Sequence, residues 1–171
     1  PQAANLFLPS GLGKIRRSQK NTDSLTHTQK SSRILLNNAQ KRALKELKSI
    51  STNTKLLHGV TGSGKTNVYL SLAKSEIMNQ KSVILLVPEI ALTSQLVEVF
   101  RSIFGDSITL IHSRQTEAER HRIWESIINS KSPQIIIGPR SALLSPVQNL
   151  GLIIIDEAHE STYSQENNPK Y

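Results

Sequence analysis

The sequence predicts an α/β fold, with a mostly parallel sheet that is covered by helices on both faces. Short runs of Val, Ile and Leu alternate along the chain with longer amphipathic stretches. This alternation is typical of buried parallel strands that are joined by helices. A glycine-rich turn at residues 59–64 also separates an apolar run from a helix-forming stretch. The 171 residues are enough for one domain with a hydrophobic core.

Each element follows from its local pattern. Asn37 and Asn38 can cap the first helix, and Gly105 ends the third. The predicted helices span residues 39–50, 65–79, 91–104 and 117–129. The predicted strands span residues 56–58, 82–87, 108–111, 134–137 and 152–155.

Residues 1–33 differ from the rest of the chain. They are rich in polar residues, Pro and Gly, and only 37% of the whole chain is hydrophobic. Residues up to Lys55 include eleven Lys and Arg but only two acidic residues. From Leu56 onward there are ten Lys and Arg and eleven acidic residues. We expect residues 1–33 to be a basic linker or the tail of a preceding domain, and residues 34–171 to fold. The excess of positive charge up to Lys55 is typical both of a segment that contacts nucleic acid and of a solvated linker.

Several classes of protein are excluded by composition. The chain has no cysteine, so it offers no disulfide framework and no thiolate metal site. No apolar run approaches the ~20 residues of a membrane span, and residues 1–30 lack the apolar segment of a signal peptide. These features predict a cytoplasmic protein without a membrane partner.

Residues 59–66 fit the phosphate-binding pattern G-x-x-x-x-G-K-[ST]. The glycines let backbone N–H groups surround a phosphate, and the following helix adds positive charge at its N-terminus. Lys65 can reach the β- and γ-phosphates of ATP, and Thr66 can supply a hydroxyl to Mg²⁺. An ordinary glycine-rich turn would not need Lys65 and Thr66 together. The candidate nucleotide-binding residues are Gly59, Thr61, Gly62, Ser63, Gly64, Lys65 and Thr66.

Two acids follow the last predicted strand. Asp156 and Glu157 lie at the strand's carboxyl end, where ligands bind in open α/β sheets. Asp156 is the candidate holder of Mg²⁺ through water, and Glu157 is placed to deprotonate the attacking water. Adjacent acids in this position can also form a solvated loop or a helix cap, but the phosphate loop favours catalysis. Lys65, Asp156 and Glu157 are therefore the candidate catalytic residues, with ATP and Mg²⁺ as cofactors.

Residues 156–159 read Asp-Glu-Ala-His, a DEAH box, and with the phosphate loop they resemble superfamily 2 helicases. Further blocks resemble the PriA-type (primosomal protein N′) family of replication-restart DNA helicases. These blocks are residues 59–70, 87–93, 112–113, 119–124, 137–143, 149–159 and 161–165. The chain departs from the family at Ala158, where Glu is common, and at Pro139, where Thr is common. Pro139 cannot donate a hydrogen bond to a DNA phosphate.

The resemblance implies a RecA-like P-loop NTPase domain, the first lobe of an ATP-dependent 3′-5′ DNA helicase. It implies action at stalled forks in the bacterial cytoplasm, on single-stranded or forked DNA, with primosome and single-strand-binding proteins as partners. It also implies that the second lobe, with its catalytic arginine, is absent. Such an arginine accelerates phosphoryl transfer by a factor of ~10³–10⁵. We therefore expect this chain to bind ATP but to hydrolyse it with little turnover. Another superfamily 2 translocase, an RNA helicase and a non-catalytic nucleotide-gated binding module remain alternatives.

Further residues gain candidate roles by resemblance. Gln40 would pair with adenine, unless it is a solvent-facing helix residue. Thr93, Arg140 and Ser141 would contact DNA, although strand-to-helix turn chemistry also explains these loops. His159 and Tyr163 would couple the ATP site to the nucleic acid, unless His159 is a partly buried residue bound to a carbonyl. Trp124 is expected to pack a helix against the sheet.

Overall fold

The computed structural model describes residues 34–89, 95–160 and 163. The helices are α1 (Asn38–Ser49), α2 (Lys65–Met78), α3 (Gln95–Phe104) and α4 (Glu117–Asn129). The strands are β1 (Ser82–Leu86), β2 (Ile108–Leu110), β3 (Ile135–Gly138) and β4 (Leu150–Ile155). Two short 3₁₀ helices span Gly105–Ser107 and Arg140–Leu144. No helix in this described part of the chain is long and apolar enough to cross a membrane.

The four strands form one sheet in which every pair is parallel. Their order is β2-β3-β1-β4, so β1 lies between β3 and β4. Leu86, the last residue of β1, lies opposite both Gly138 and Ile155. The carboxyl ends of the strands therefore meet at one edge of the sheet, here called the carboxyl edge. Loops that follow the strands are brought together there.

Helices cover both faces of the sheet. On one face, α2 and α3 pack against alternate residues of β1, such as Val83 and Leu85. On the other face, Ile127 of α4 packs against Ile84 and other strand residues. Each fully buried aliphatic side chain stabilises the fold by about 1.5–3 kcal/mol. The predicted α/β fold with a parallel sheet and helices on both faces is confirmed.

Two helices begin with a reciprocal cap. The Asn37 side chain accepts the Gln40 amide, and the Gln40 side chain accepts the Asn37 amide. Thr116 and Glu119 form the same arrangement at α4. Hydrogen bonds from Thr116 lower the pKa of Glu119 below its usual value. Each cap contributes roughly 1 kcal/mol to helix stability, and the cap expected at Asn37 and Asn38 is confirmed at Asn37.

The predicted strand at residues 56–58 is wrong, because this segment forms no strand pairing. Leu57 packs against the core, whereas Leu56 is 84% exposed. β4 pairs only with β1 within the described residues, and it begins two residues earlier than expected. Residues 1–33 and 90–94 lie outside the described residues, so the linker, the domain boundary and the expected start of the third helix stay predictions.

Trp124 is buried in α4, with 6% of its surface exposed. This burial agrees with a packing role, because a base could not stack on an indole that solvent does not reach.

Candidate nucleotide-binding site

The glycine-rich loop enters α2 through residues that have positive φ angles. Gly62 and Gly64 both have φ of 79°, a conformation that costs other residues about 1 kcal/mol or more. A Cβ at Gly64 would also collide with the Gln40 side chain. No side chain caps the N-terminus of α2, and a helix N-terminus of this kind can donate backbone amides to an anion. These positive φ angles and the close approach to Gln40 explain why the loop has glycine at residues 62 and 64.

Lys65 lies between the loop and the end of β4. Its Nζ donates to the Gly59 carbonyl at 2.9 Å and lies 3.8 Å from Glu157 Oε1. The structure therefore brings the predicted phosphate-binding lysine and the predicted base into one site, although they are far apart in sequence. A lysine held between a carbonyl and a carboxylate can exchange these partners for phosphate oxygens without losing its charge pairing.

Gln40 braces the glycine-rich loop. It is buried, and its Nε2 donates to the carbonyls of Ser63 and Gly64, at 3.2 Å each. Its Oε1 accepts the amide of Asn37 at 2.9 Å. Gln40 is thus not the solvent-facing residue of the alternative interpretation. Pairing with adenine stays a prediction, and it would compete with these bonds.

Asp156 and Glu157 follow β4 at the carboxyl edge. The Asp156 amide donates to the Leu86 carbonyl at 2.9 Å, so the pairing of β4 with β1 continues to this residue. Glu157 follows it with φ of 48°. A non-glycine residue in this region stores strain of about 1–3 kcal/mol, and such residues cluster at functional sites. The turn directs the Glu157 carboxylate toward Lys65.

Two tyrosines hold Asp156. The Tyr69 hydroxyl donates to Asp156 Oδ1 at 3.1 Å, and the Tyr163 hydroxyl donates to the Asp156 carbonyl at 3.0 Å. Burial and the Asp156 carboxylate raise the pKa of Tyr69 well above its usual value. Burial and the same carboxylate raise the pKa of Tyr163 to about 12. Both hydroxyls therefore keep their protons at neutral pH and act as donors.

His159 is exposed, and its Nδ1 lies 3.6 Å from Glu157 Oε2. It is therefore not the partly buried histidine of the alternative interpretation. A contact with the candidate base suits the predicted coupling role, which stays a prediction together with that of Tyr163.

The residues at this edge fit a magnesium nucleotide. The uncapped α2 N-terminus and Lys65 supply positive charge for phosphates. Thr66 is the second residue of α2, and Asp156 directly follows β4. A hydroxyl and a carboxylate are oxygen ligands of the kind that Mg²⁺ prefers, with water and phosphate oxygens completing its shell. The assignments of all the nucleotide-binding, metal-binding and catalytic residues stay predictions.

The candidate nucleic-acid residues lie along the same edge, beyond β1. Arg140 and Ser141 open the 3₁₀ helix that follows β3, with Pro139 before them. β1 separates β3 from β4, so these residues stand about 10 Å from the ATP site along the sheet. Thr93 lies outside the described residues. Sequence reasoning missed Glu89, whose Oε1 accepts the Ser113 amide at 3.1 Å and joins the loops after β1 and β2.

An open depression of about 330 Å³ lies next to the loop that follows β2. Its walls carry both basic and acidic side chains. The lining residues are His112, Arg114, Gln115, Glu119, Arg122 and Ile123. It is separate from the glycine-rich loop, so it is not the nucleotide site.

The DEAD/DEAH box helicase family matches residues 37–170 of the chain. The chain belongs to this family. The RecA-like fold expected from the resemblance is thereby confirmed. The relatives described next confirm the resemblance to PriA-type proteins.

Several relatives of the chain are named replication restart protein PriA. The Bacillus subtilis protein is 47% identical over 116 residues, which are 68% of this chain and 14% of the relative. The Chlamydia trachomatis protein is 48% identical over 122 residues, 69% of this chain and 16% of the relative. The Haemophilus influenzae protein is 42% identical over 140 residues, 81% of this chain and 19% of the relative. The chain thus spans less than a fifth of the length of these relatives.

Proposed function

We propose that the chain is the ATP-binding lobe of an ATP-dependent DNA helicase that acts in replication restart. The observation that carries the proposal is the position of Lys65 Nζ, 3.8 Å from Glu157 Oε1, beside Asp156. This arrangement lies in a DEAD/DEAH box helicase whose relatives are named for replication restart. We assign the lobe to residues 34–171, and residues 1–33 to a basic linker or the tail of a preceding domain.

Different residues of the site bind the phosphates, hold the metal ion and accept the proton. Lys65 and the amides of the glycine-rich loop bind the β- and γ-phosphates, and Lys65 gives up the Gly59 carbonyl to do so. Thr66 and Asp156 would hold Mg²⁺, Asp156 through water, and the ion would neutralise charge on the phosphates. Glu157 accepts a proton from the attacking water while that water's oxygen bonds to the γ-phosphorus. The bond between the γ-phosphorus and the oxygen that bridges it to the β-phosphate breaks, so ADP leaves with that oxygen and inorganic phosphate is formed.

The helicase would move 3′ to 5′ along DNA and act at stalled forks, with primosome and single-strand-binding proteins as its partners. Arg140, Ser141 and Thr93 would contact the DNA backbone, and His159 and Tyr163 would relay that contact to the ATP site. The family resemblance supports this part of the proposal.

ATP hydrolysis by the full native protein tests the proposal, measured without nucleic acid and with single-stranded DNA, forked DNA or RNA. We expect strong stimulation by single-stranded or forked DNA and none by RNA. Stimulation by RNA alone would favour an RNA helicase. No hydrolysis under any of these conditions would favour a nucleotide-gated binding module.

A further inference from the structure

Tyr69 links α2, the helix that follows the glycine-rich loop, to Asp156 at the end of β4. It lies in α2, and its hydroxyl bonds a carboxylate oxygen of Asp156, 87 residues later. The Tyr69 ring is buried in the core cluster between α2 and the sheet, with 6% of its surface exposed. Packing therefore fixes the ring, and the ring fixes where the hydroxyl points.

Asp156 is anchored at three of its atoms. Its amide donates to the Leu86 carbonyl, and its own carbonyl accepts the Tyr163 hydroxyl. These two bonds fix the backbone but leave the side chain free to rotate. Among the described residues, Tyr69 supplies the one hydrogen bond to the Asp156 carboxylate, and this bond goes to Oδ1. Within the described part of the chain, the Oδ2 atom accepts no hydrogen bond and can take another ligand.

The helix α2 also carries Lys65, four residues before Tyr69. Residues four apart lie on the same face of a helix, about 6 Å from each other. One turn of α2 thus holds both the lysine proposed for the phosphates and the hydroxyl that orients the carboxylate proposed for the metal. The backbone positions of these two residues are therefore set by a single helix.

We propose that Tyr69 is a positioning residue, which orients the Asp156 carboxylate for the divalent cation that accompanies ATP. This inference rests on the proposed function of the ATP site. Tyr69 itself contacts neither nucleotide nor cation, and it acts through Asp156. A carboxylate that is already oriented loses less rotational freedom when it binds a cation or its water ligands.

Tyr69→Phe tests the proposal, because it keeps the ring in the core and removes only the hydroxyl. The measurement is calorimetric binding of ATP to the full native protein at a series of Mg²⁺ concentrations and in EDTA. We expect the Mg²⁺ concentration at half-maximal binding to rise about two- to tenfold, the range for loss of one hydrogen bond. ATP affinity in EDTA should not change, because Tyr69 does not contact the nucleotide. Ser71→Ala removes a hydroxyl from the same helix, where it bonds the Asn67 carbonyl, and should leave the Mg²⁺ requirement unaltered.

A double-mutant cycle separates positioning from a general effect on the fold. In an Asp156→Ala background, Tyr69→Phe should have no further effect on the Mg²⁺ requirement, because the side chain that it orients has been removed. An unchanged Mg²⁺ requirement in Tyr69→Phe alone, or an equal effect in both backgrounds, would overturn the role of Tyr69. If the unsubstituted protein shows no Mg²⁺-dependent ATP binding, the proposed function fails first and the inference fails with it.

Discussion

The two halves of the carboxyl edge are built in different ways. Beside β4, charged side chains contact one another directly. Lys65 Nζ, for example, lies 3.8 Å from Glu157 Oε1. Beyond β1, the loops are shaped by turns and by contacts to the backbone, such as the bond from the Ser113 amide to Glu89. A nucleotide site needs particular charges at particular points, whereas a nucleic-acid backbone can be held by many weak donors. Substitutions should therefore have large effects in the first half and graded effects in the second.

The largest effect is expected from Glu157→Gln in the nucleotide half. A positioned general base contributes roughly 10²–10⁴ to a rate, so DNA-stimulated ATP hydrolysis by the full native protein should fall by that factor. ATP affinity should be kept, because the substitution removes a negative charge that stands near the phosphates. Steady-state hydrolysis and equilibrium ATP binding are the two measurements.

Glu160→Gln is the matched control for that experiment. It makes the same change of charge three residues later, and the Glu160 amide donates to the Glu157 carbonyl. Hydrolysis should be close to normal in this variant. If Glu157→Gln also hydrolyses ATP at the normal rate, Glu157 is not the base.

Lys65→Ala should weaken ATP binding by about 10- to 100-fold, which is the loss expected for hydrogen bonds between charged partners. It also leaves Glu157 without the cation that stands 3.8 Å away. Binding is measured by calorimetry with Mg·ATP, and Lys74→Ala on the exposed side of α2 serves as the control. Unchanged ATP affinity in Lys65→Ala would refute the phosphate-binding assignment.

The sequence predicted the fold well wherever burial alone determines an element. The runs that became β1 and β3 are fully buried, and an apolar strand that is covered on both faces has a composition that reveals it. The strand expected at residues 56–58 does not form. A run of three residues that includes one exposed leucine is too short for its composition to indicate a buried strand. Whether a short segment pairs depends on the neighbouring strand edge, which the sequence pattern does not contain.

The nucleotide site could be predicted in part. The loop at residues 59–66 and the acids after β4 follow from the chemistry that phosphate and Mg²⁺ require. The brace from Gln40 and the bond from Tyr69 were missed, because each depends on a contact between elements distant in sequence. The spacing of four residues between Lys65 and Tyr69 was the available signal, since it places both side chains on one face of α2.

The smallest effect is expected in the nucleic-acid half, from Arg140→Ala. Arg140 begins the 3₁₀ helix after β3 at the carboxyl edge, and one phosphate contact is a small share of a DNA interface. We expect the affinity of the full native protein for single-stranded DNA to fall only severalfold. The slope of log affinity against log salt concentration should decrease by about 0.7, the value for one phosphate on single-stranded DNA.

Arg101→Ala is the matched control, because Arg101 is exposed in the last turn of α3, before the chain enters β2 at the opposite end of the sheet. It removes the same charge, so any effect on the general attraction between protein and DNA appears in both variants. Equal changes in salt slope for the two arginines would mean that Arg140 contributes only net charge. A loss of DNA binding in Arg140→Ala as large as the loss of ATP binding in Lys65→Ala would contradict the contrast between the two halves, because it would make one arginine as decisive for DNA as one lysine is for ATP.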